Sequence, residues 1–179
     1  MNLTRLLSKT WNNIRDVVVS PTTAIKRITE EKDYIPAILT VFLAAACFTP
    51  YQLLLYVQLF APMMLMYVMI VRYVSYLTVR HLFHGGEELD IDRHDITVVM
   101  AYTMVPWICF LPFALFESTL LVLFVGLLWS FVLTVLIVHE TYEIGVRASV
   151  CVTLFSIFGY LLFVAITYVA AFWFILTNR

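Results

Sequence analysis

From Ile35 to Thr78 the sequence hardly leaves the apolar residues, and further long apolar runs begin at Ile96, Thr119 and Ala148. A helix rises about 1.5 Å per residue, so about twenty such residues cross the roughly 30 Å of bilayer hydrocarbon. Runs of that length between short charged islands suit a chain that crosses a membrane several times and do not suit a water-soluble core. The composition agrees, with 63% of the 179 residues hydrophobic and 13% charged, against about half and about a quarter in a soluble domain. The fold expected is all-α, a polytopic membrane helical bundle.

The run from Ile35 is too long for one crossing, and Pro50 with Gln52, then Gln58 and Pro62, are the places where it can turn. Two spans are therefore expected, Ile35 to about Tyr56 and about Ala61 to His81. A third runs from Ile96 to about Leu115, kinked by Pro106 and Pro112. The "FES" of Phe116 to Ser118 turns the chain into a fourth span, about Thr119 to Val138, and a long fifth runs from Ala148 to about Leu176. This divides the chain into a cytoplasmic amphipathic helical segment, residues 1–34, and a five-span transmembrane domain, residues 35–179. Cys47, Cys109 and Cys151 lie inside apolar runs without the paired spacing of a thiolate site, and read as small core residues.

Ahead of the spans, Leu3, Leu6, Leu7, Trp11, Ile14, Val17 and Val18 recur at helical spacing, with Arg5, Lys9, Asn12, Asn13, Arg15 and Asp16 on the other side. Such a helix either packs on the rest of the protein or lies in the plane of a membrane surface, which a basic polar face and an apolar-face Trp also suit. No continuous apolar core of a cleavable signal is present in the first residues, so the segment is expected to be retained. Ser20 offers an N-cap and Pro21 a first-turn proline for a second short helix. Orientation follows from the short loops, where an excess of Lys and Arg marks the cytoplasmic side. Arg5, Lys9, Arg15, Lys26, Arg27, Lys32, Arg80, Arg93 and Arg147 fall on one side of the five-span drawing, with Arg72 just inside the bilayer, and Arg179 falls on the other. The N-terminus is thus expected in the cytoplasm and the C-terminus outside.

Two polar islands stand out. "HLFHGGEELDIDRHD", His81 to Asp95, holds three of the four histidines, and "HETYE", His139 to Glu143, holds the fourth. The threading brings His81, His84, His94, His139 and Glu140 to helix ends at one depth, where imidazole and carboxylate are a reasonable ligand set for zinc or another divalent metal. The plainer reading is a solvated loop, with Asp92 or Asp95 as an N-cap, histidines at the negative ends of helix dipoles, and Gly85 and Gly86 as a helix stop. Within the spans, Arg72 lies about 12 Å along the helix from Arg80. It is expected to face protein, paired with Glu140 or Glu143 or bonded to carbonyls freed by Pro106, or else to snorkel to the surface. Ser149, Thr153, Ser156, Tyr160 and Thr167 share one face of the fifth span, a stripe suited to hydrogen bonding between helices.

From Val19 to about Phe174 the chain resembles the Yip-domain family, the Ypt/Rab-interacting membrane proteins, in its prokaryotic form. "VVVSPTTAIKRITEEKDYIPAI", with Pro21, is similar to the proline-led amphipathic helix before the first span. "LFHGGEELD", with Gly85 and Gly86, resembles the loop after the second span. "VVMAYTMVPWI", with Tyr102 and Pro106, resembles the third-span motif, and "YEIGVRASV", with Gly145, resembles the opening of the fifth. The Asp-Leu-Tyr-Gly-Pro signature of eukaryotic members is not in the sequence, so no Rab-type GTPase partner is implied. The resemblance implies a five-span bundle in the plasma or inner membrane of a prokaryote, with a cytosolic N-terminus and a role near trafficking or membrane shaping. It supplies no catalytic residues.

The residues themselves contain no Gly-rich phosphate loop and no HExxH, since "HETYE" has Glu143 where the second zinc histidine would stand. An enzyme is not expected, nor any cofactor beyond the candidate zinc or divalent ion. Two functions remain open. One is a non-catalytic scaffold that organises the membrane through the lipid bilayer and other membrane proteins, or as a homo-oligomer, with no nucleic acid. The other is a small transporter or metal-ion-handling protein, which calls for ionisable groups through the depth of the membrane.

Overall fold

The computed structural model describes residues 3–47, 53–83, 96–114 and 119–177, and their regular structure is helical throughout. Two amphipathic helices open the chain, α1 (Leu3–Val19) and α2 (Pro21–Glu31). Pro21 begins α2 because the first turn has no use for its missing N–H. Ser20 sits at the N-cap position, but its hydroxyl makes no capping bond. Its backbone instead links the helices, its N–H donating to the Asp16 carbonyl at 2.8 Å and its carbonyl accepting from Ala24 at 3.0 Å. Lys32, in the left-handed region at φ 47°, ends α2 by donating its N–H to the Ile28 carbonyl.

The apolar chain follows as α3 (Tyr34–Cys47), α4 (Leu53–Leu82), α5 (Thr97–Met100), a 3-10 turn (Ala101–Met104), α6 (Val105–Ala114), α7 (Thr119–Tyr142) and α8 (Val146–Thr177). The expected first two spans are corrected here. The first apolar helix is described as far as Cys47, and a separate helix, α4, already starts at Leu53, before Tyr56, and passes through Gln58 and Pro62. A proline inside a helix costs one backbone bond, whereas a full turn in apolar surroundings strands several, so the helix persists. The last two spans are longer at one end than drawn, α7 reaching Tyr142 and α8 starting at Val146. Among the described residues, three helical segments are long and apolar enough to cross a membrane, Pro62–Leu82, Phe124–Tyr142 and Val146–Phe174, and two shorter apolar stretches are Tyr34–Ala46 and Thr97–Cys109.

Packing follows chain order, α3 on α4, α6 on α7 and α7 on α8, and α8 returns to close against α4. The buried side chains at the contacts are small or β-branched, as in Val41, Ala44 and Ala45 of α3 and Val68, Val71 and Val79 of α4, which lets backbones approach closely. Gly126 sits under the Trp107 ring, and Gly159 sits against Val74. The core is gathered at the end of the bundle that carries the N-terminal hairpin. Beyond Tyr160, α8 turns Leu161, Ile166, Val169 and Phe172 outward. Cys109 and Cys151 are exposed, which corrects their reading as core residues. A small apolar group suits an apolar outer surface as well as an interior.

Candidate functional site

The N-terminal hairpin is held on the bundle by a buried polar latch. α1 turns Thr10, Asn13, Ile14 and Val17 inward, and α2 turns Ala24, Ile25 and Ile28. A buried amide is tolerated only when hydrogen-bonded, and Asn13, at 4% exposure, has both ends of its side chain engaged. Its Nδ2 donates to the Tyr102 hydroxyl at 2.9 Å, and its Oδ1 accepts from the Arg27 guanidinium at 2.9 Å. Tyr102 in turn hydrogen-bonds Thr40 of α3, whose own hydroxyl donates to the Pro36 carbonyl at 2.9 Å. One side-chain chain thus joins α2, α1, the 3-10 turn and α3.

Pro106 explains why Tyr102 lies on a 3-10 turn. In an α-helix the Tyr102 carbonyl would accept from residue 106, but proline has no N–H. The carbonyl takes the Val105 N–H instead, one residue early, and the chain tightens. Neighbouring groups are met by hydroxyls: Thr103 donates to the Met100 carbonyl at 2.8 Å, and Ser130 of α7 donates to the Thr103 carbonyl at 2.9 Å.

Ion pairs ring the latch. Arg27 meets Asp16 at 2.9 Å and Glu31 at 3.7 Å, and Arg15 meets Asp16 at 3.0 Å. Hydrogen bonding from Arg15 holds the Asp16 carboxyl below the ordinary carboxylate range, with Arg27 adding to the effect against some desolvation. Lys9 bonds Glu31 at 2.8 Å and Asp33 at 3.0 Å. Those two bonds, Glu31 first, raise its ammonium above the ordinary lysine value. Lys26 of α2 meets Glu140 at the end of α7 at 3.1 Å.

A second polar arrangement lies between the long helices. Ser149, Thr153 and Ser156 of α8 are fully buried, and Tyr160 is partly buried. Ser156 and Ser75 of α4 hydrogen-bond at 2.8 Å, and Ser156 also donates to the Val152 carbonyl at 2.8 Å. Tyr160 stacks edge-on against Tyr67 with ring centroids 5.1 Å apart, and Tyr67 hydrogen-bonds Thr134 of α7. The Thr153 hydroxyl is buried without a hydrogen-bond partner among the described residues. Thr167, farther along the same face, is exposed and donates to its own helix at the Phe163 carbonyl. Arg72 is partly buried on α4.

Of the candidate metal ligands, His81, His139 and Glu140 lie among the described residues. His81 is exposed at the end of α4. His139 Nδ1 hydrogen-bonds the Ile144 carbonyl, and Glu140 pairs with Lys26. His84, His94, Asp92, Asp95, Gly85 and Gly86 lie outside the described residues. Among the described residues no group of three ligand-type side chains gathers. Glu143, at φ 53°, ends α7, and the Gly145 carbonyl opens α8 by accepting the Ser149 N–H at 3.0 Å and hydroxyl at 3.2 Å.

Asn13 corrects the sequence reading, which sets it on the outer polar face of α1. The signal was its spacing with Thr10 and Val17, the i, i+3, i+7 pattern of one helical face. Thr40, Ser75 and Ser130 carried no signal, because nothing in their local sequence shows which helix they oppose. A family model described as Yip1 domain matches residues 15–176. No curated protein and no solved structure matches the chain.

Proposed function

Since the chain belongs to the Yip1-domain family, we propose that this membrane protein is a non-catalytic scaffold, which carries a docked helical hairpin as a platform for other membrane proteins. The latch carries this reading. Asn13, Arg27 and Tyr102 bond the hairpin to the bundle, and Lys26 to Glu140 fixes α2 to the end of α7. A tethered tail would lack such bonds, whereas a platform that presents α2 in one orientation needs them. The polar groups between α4 and α8 support the same reading, since Ser75, Ser156, Tyr67 and Tyr160 bond or stack across helices.

The topology that goes with this function has five crossings, with the hairpin in the cytoplasm and the C-terminus outside. Among the described residues, three helices of spanning length and two shorter apolar stretches pack on one another in chain order, as antiparallel neighbours do. Lys26, Arg27, Lys32, Arg80 and Arg147 all flank the bundle end at which α3 and α8 begin and α4 and α7 end, the bias expected of a cytoplasmic face. The test places photo-crosslinking residues on the exposed surface of α2, at Thr22 and Glu30, and at the outward Leu161 of α8. Discrete protein adducts from α2, lost when Asn13→Ala and Tyr102→Phe release the latch, are expected. A hairpin without adducts, together with protein-dependent flux of protons or divalent cations in reconstituted vesicles, would replace the scaffold by a transporter.

A further inference from the structure

α1 does not spend all its apolar surface on the bundle. Leu7, Trp11 and Val18 are 50%, 64% and 36% exposed, and their i, i+4, i+11 spacing puts them within about 40° of one another around the helix. They form an outward edge beside the buried face of Thr10, Asn13, Ile14 and Val17. Arg15, with its side chain 63% exposed, lies one turn from Trp11 on the polar side of that edge, and Arg5, nearly three turns before Arg15, is exposed too.

The latch sets α1 beside the start of α3. Asn13 reaches Tyr102, which bonds Thr40, and Thr40 lies six residues, about 9 Å, into α3. α1 therefore runs alongside the rim of the bundle, level with the first turns of α3, and not above it. Lys32 and Asp33 mark the polar boundary just before Tyr34. The neighbouring α3 also turns Tyr34, Ile35, Ile38 and Phe42 outward at this level. An apolar edge beside the start of α3, with a Trp in it and arginines next to it, suits an interfacial helix, whose apolar face enters about 5–10 Å into the headgroup and acyl boundary.

We infer that α1 lies within the headgroup and upper acyl region of the bilayer that holds the bundle, with Leu7, Trp11 and Val18 in lipid and Arg5 and Arg15 on phosphates of anionic phospholipid. This rests on the membrane-spanning reading above. Because Asn13 ties α1 to Tyr102, an embedded α1 couples the state of the leaflet to the bundle and to α2. The hairpin is then both a platform and a contact with lipid.

The test uses the full chain with Cys47, Cys109 and Cys151 replaced by alanine, spin-labelled singly at Leu7→Cys or Val18→Cys so that Trp11 stays in place. References are Phe124→Cys on the outer surface of α7 and Glu30→Cys on the polar surface of α2. In vesicles of phosphatidylcholine with phosphatidylglycerol, the Leu7 and Val18 labels should be relaxed by oxygen several-fold more than by a water-soluble nickel chelate, as at Phe124. They should shift toward water in phosphatidylcholine alone and in the Arg5→Gln, Arg15→Gln variant. Labels at Leu7 and Val18 that match Glu30 while Phe124 reports lipid would overturn the seat of α1 and leave the spans standing. A Phe124 label in water would overturn both. Insensitivity to phosphatidylglycerol and to the glutamine variant would overturn the anionic preference.

Discussion

Asn13 has the most consequential side chain of the hairpin, because two partners depend on it, Tyr102 in a buried contact and Arg27 in a half-buried one. Its replacement leaves the Tyr102 hydroxyl and one guanidinium N–H without their acceptor or donor, so Asn13→Ala is expected to lower stability in detergent by about 1–3 kcal/mol. Tyr102→Phe should cost a similar amount, and the pair should cost less than the sum, a coupling that a double-mutant cycle in thermal unfolding reads directly. The surrounding charges respond to pH in opposite directions. Asp16 has its folded value lowered, so its contribution is present above the unfolded value of about 4 and is lost as pH falls through the folded one. Lys9 has its folded value raised, so its contribution is whole below about 10.4 and is lost as pH rises past the folded value. The hairpin should hold to the bundle most firmly between those limits. Protease access to the Val19 to Pro21 junction, followed against pH, should increase at both extremes, and in Asp16→Asn the acid side should flatten.

Among the elements, two glycines make room for a side chain of the neighbouring helix. A methyl group on Gly159 would stand 3.2 Å from Val74 Cγ2 at the α4 to α8 contact. One on Gly126 would stand 3.1 Å from the Trp107 ring at the α6 to α7 contact. Overpacking of this kind typically costs about 1–3 kcal/mol. Gly159→Ala is expected to lower the unfolding temperature, and Val74→Ala should restore much of the loss, while Val74→Ala alone has a smaller effect. Ser156→Ala should be mild, since hydrogen bonds between membrane helices average about 0.6 kcal/mol. Packing would then outweigh hydrogen bonding at this contact.

At the scale of the whole molecule, the proposed five crossings would set the two termini on opposite sides. Single cysteines at Ser8 and at Arg179, in a background without Cys47, Cys109 and Cys151, should react with an impermeant maleimide from opposite faces of sealed vesicles. Labelling of both from one face would mean that one apolar stretch does not cross, and the shorter α3 and the stretch through α5 and α6 would be the first to re-examine. The hairpin's dependence on the bundle also belongs to this scale, since its buried apolar and polar residues face α3 and α7 as well as each other.

Fold class and family were legible in the chain because they depend on properties that act locally. Apolar length sets which stretches can cross a membrane, and period 3.6 marks α1 and α2 as one-sided. Pro106 signals a break whatever surrounds it. What could not be read was where opposition between distant elements decides the outcome. Pro62 and Gln58 look like a turn until α4 has apolar neighbours, and then an unbroken helix strands fewer backbone groups. No local pattern at His139 and Glu140 shows that the fold brings them the Ile144 carbonyl and Lys26. Asn13 reads as a solvent-facing residue until Tyr102, far along the chain, arrives beneath it. Periodicity fixes which residues share a face, but only the packed neighbours determine whether that face meets lipid, water or protein.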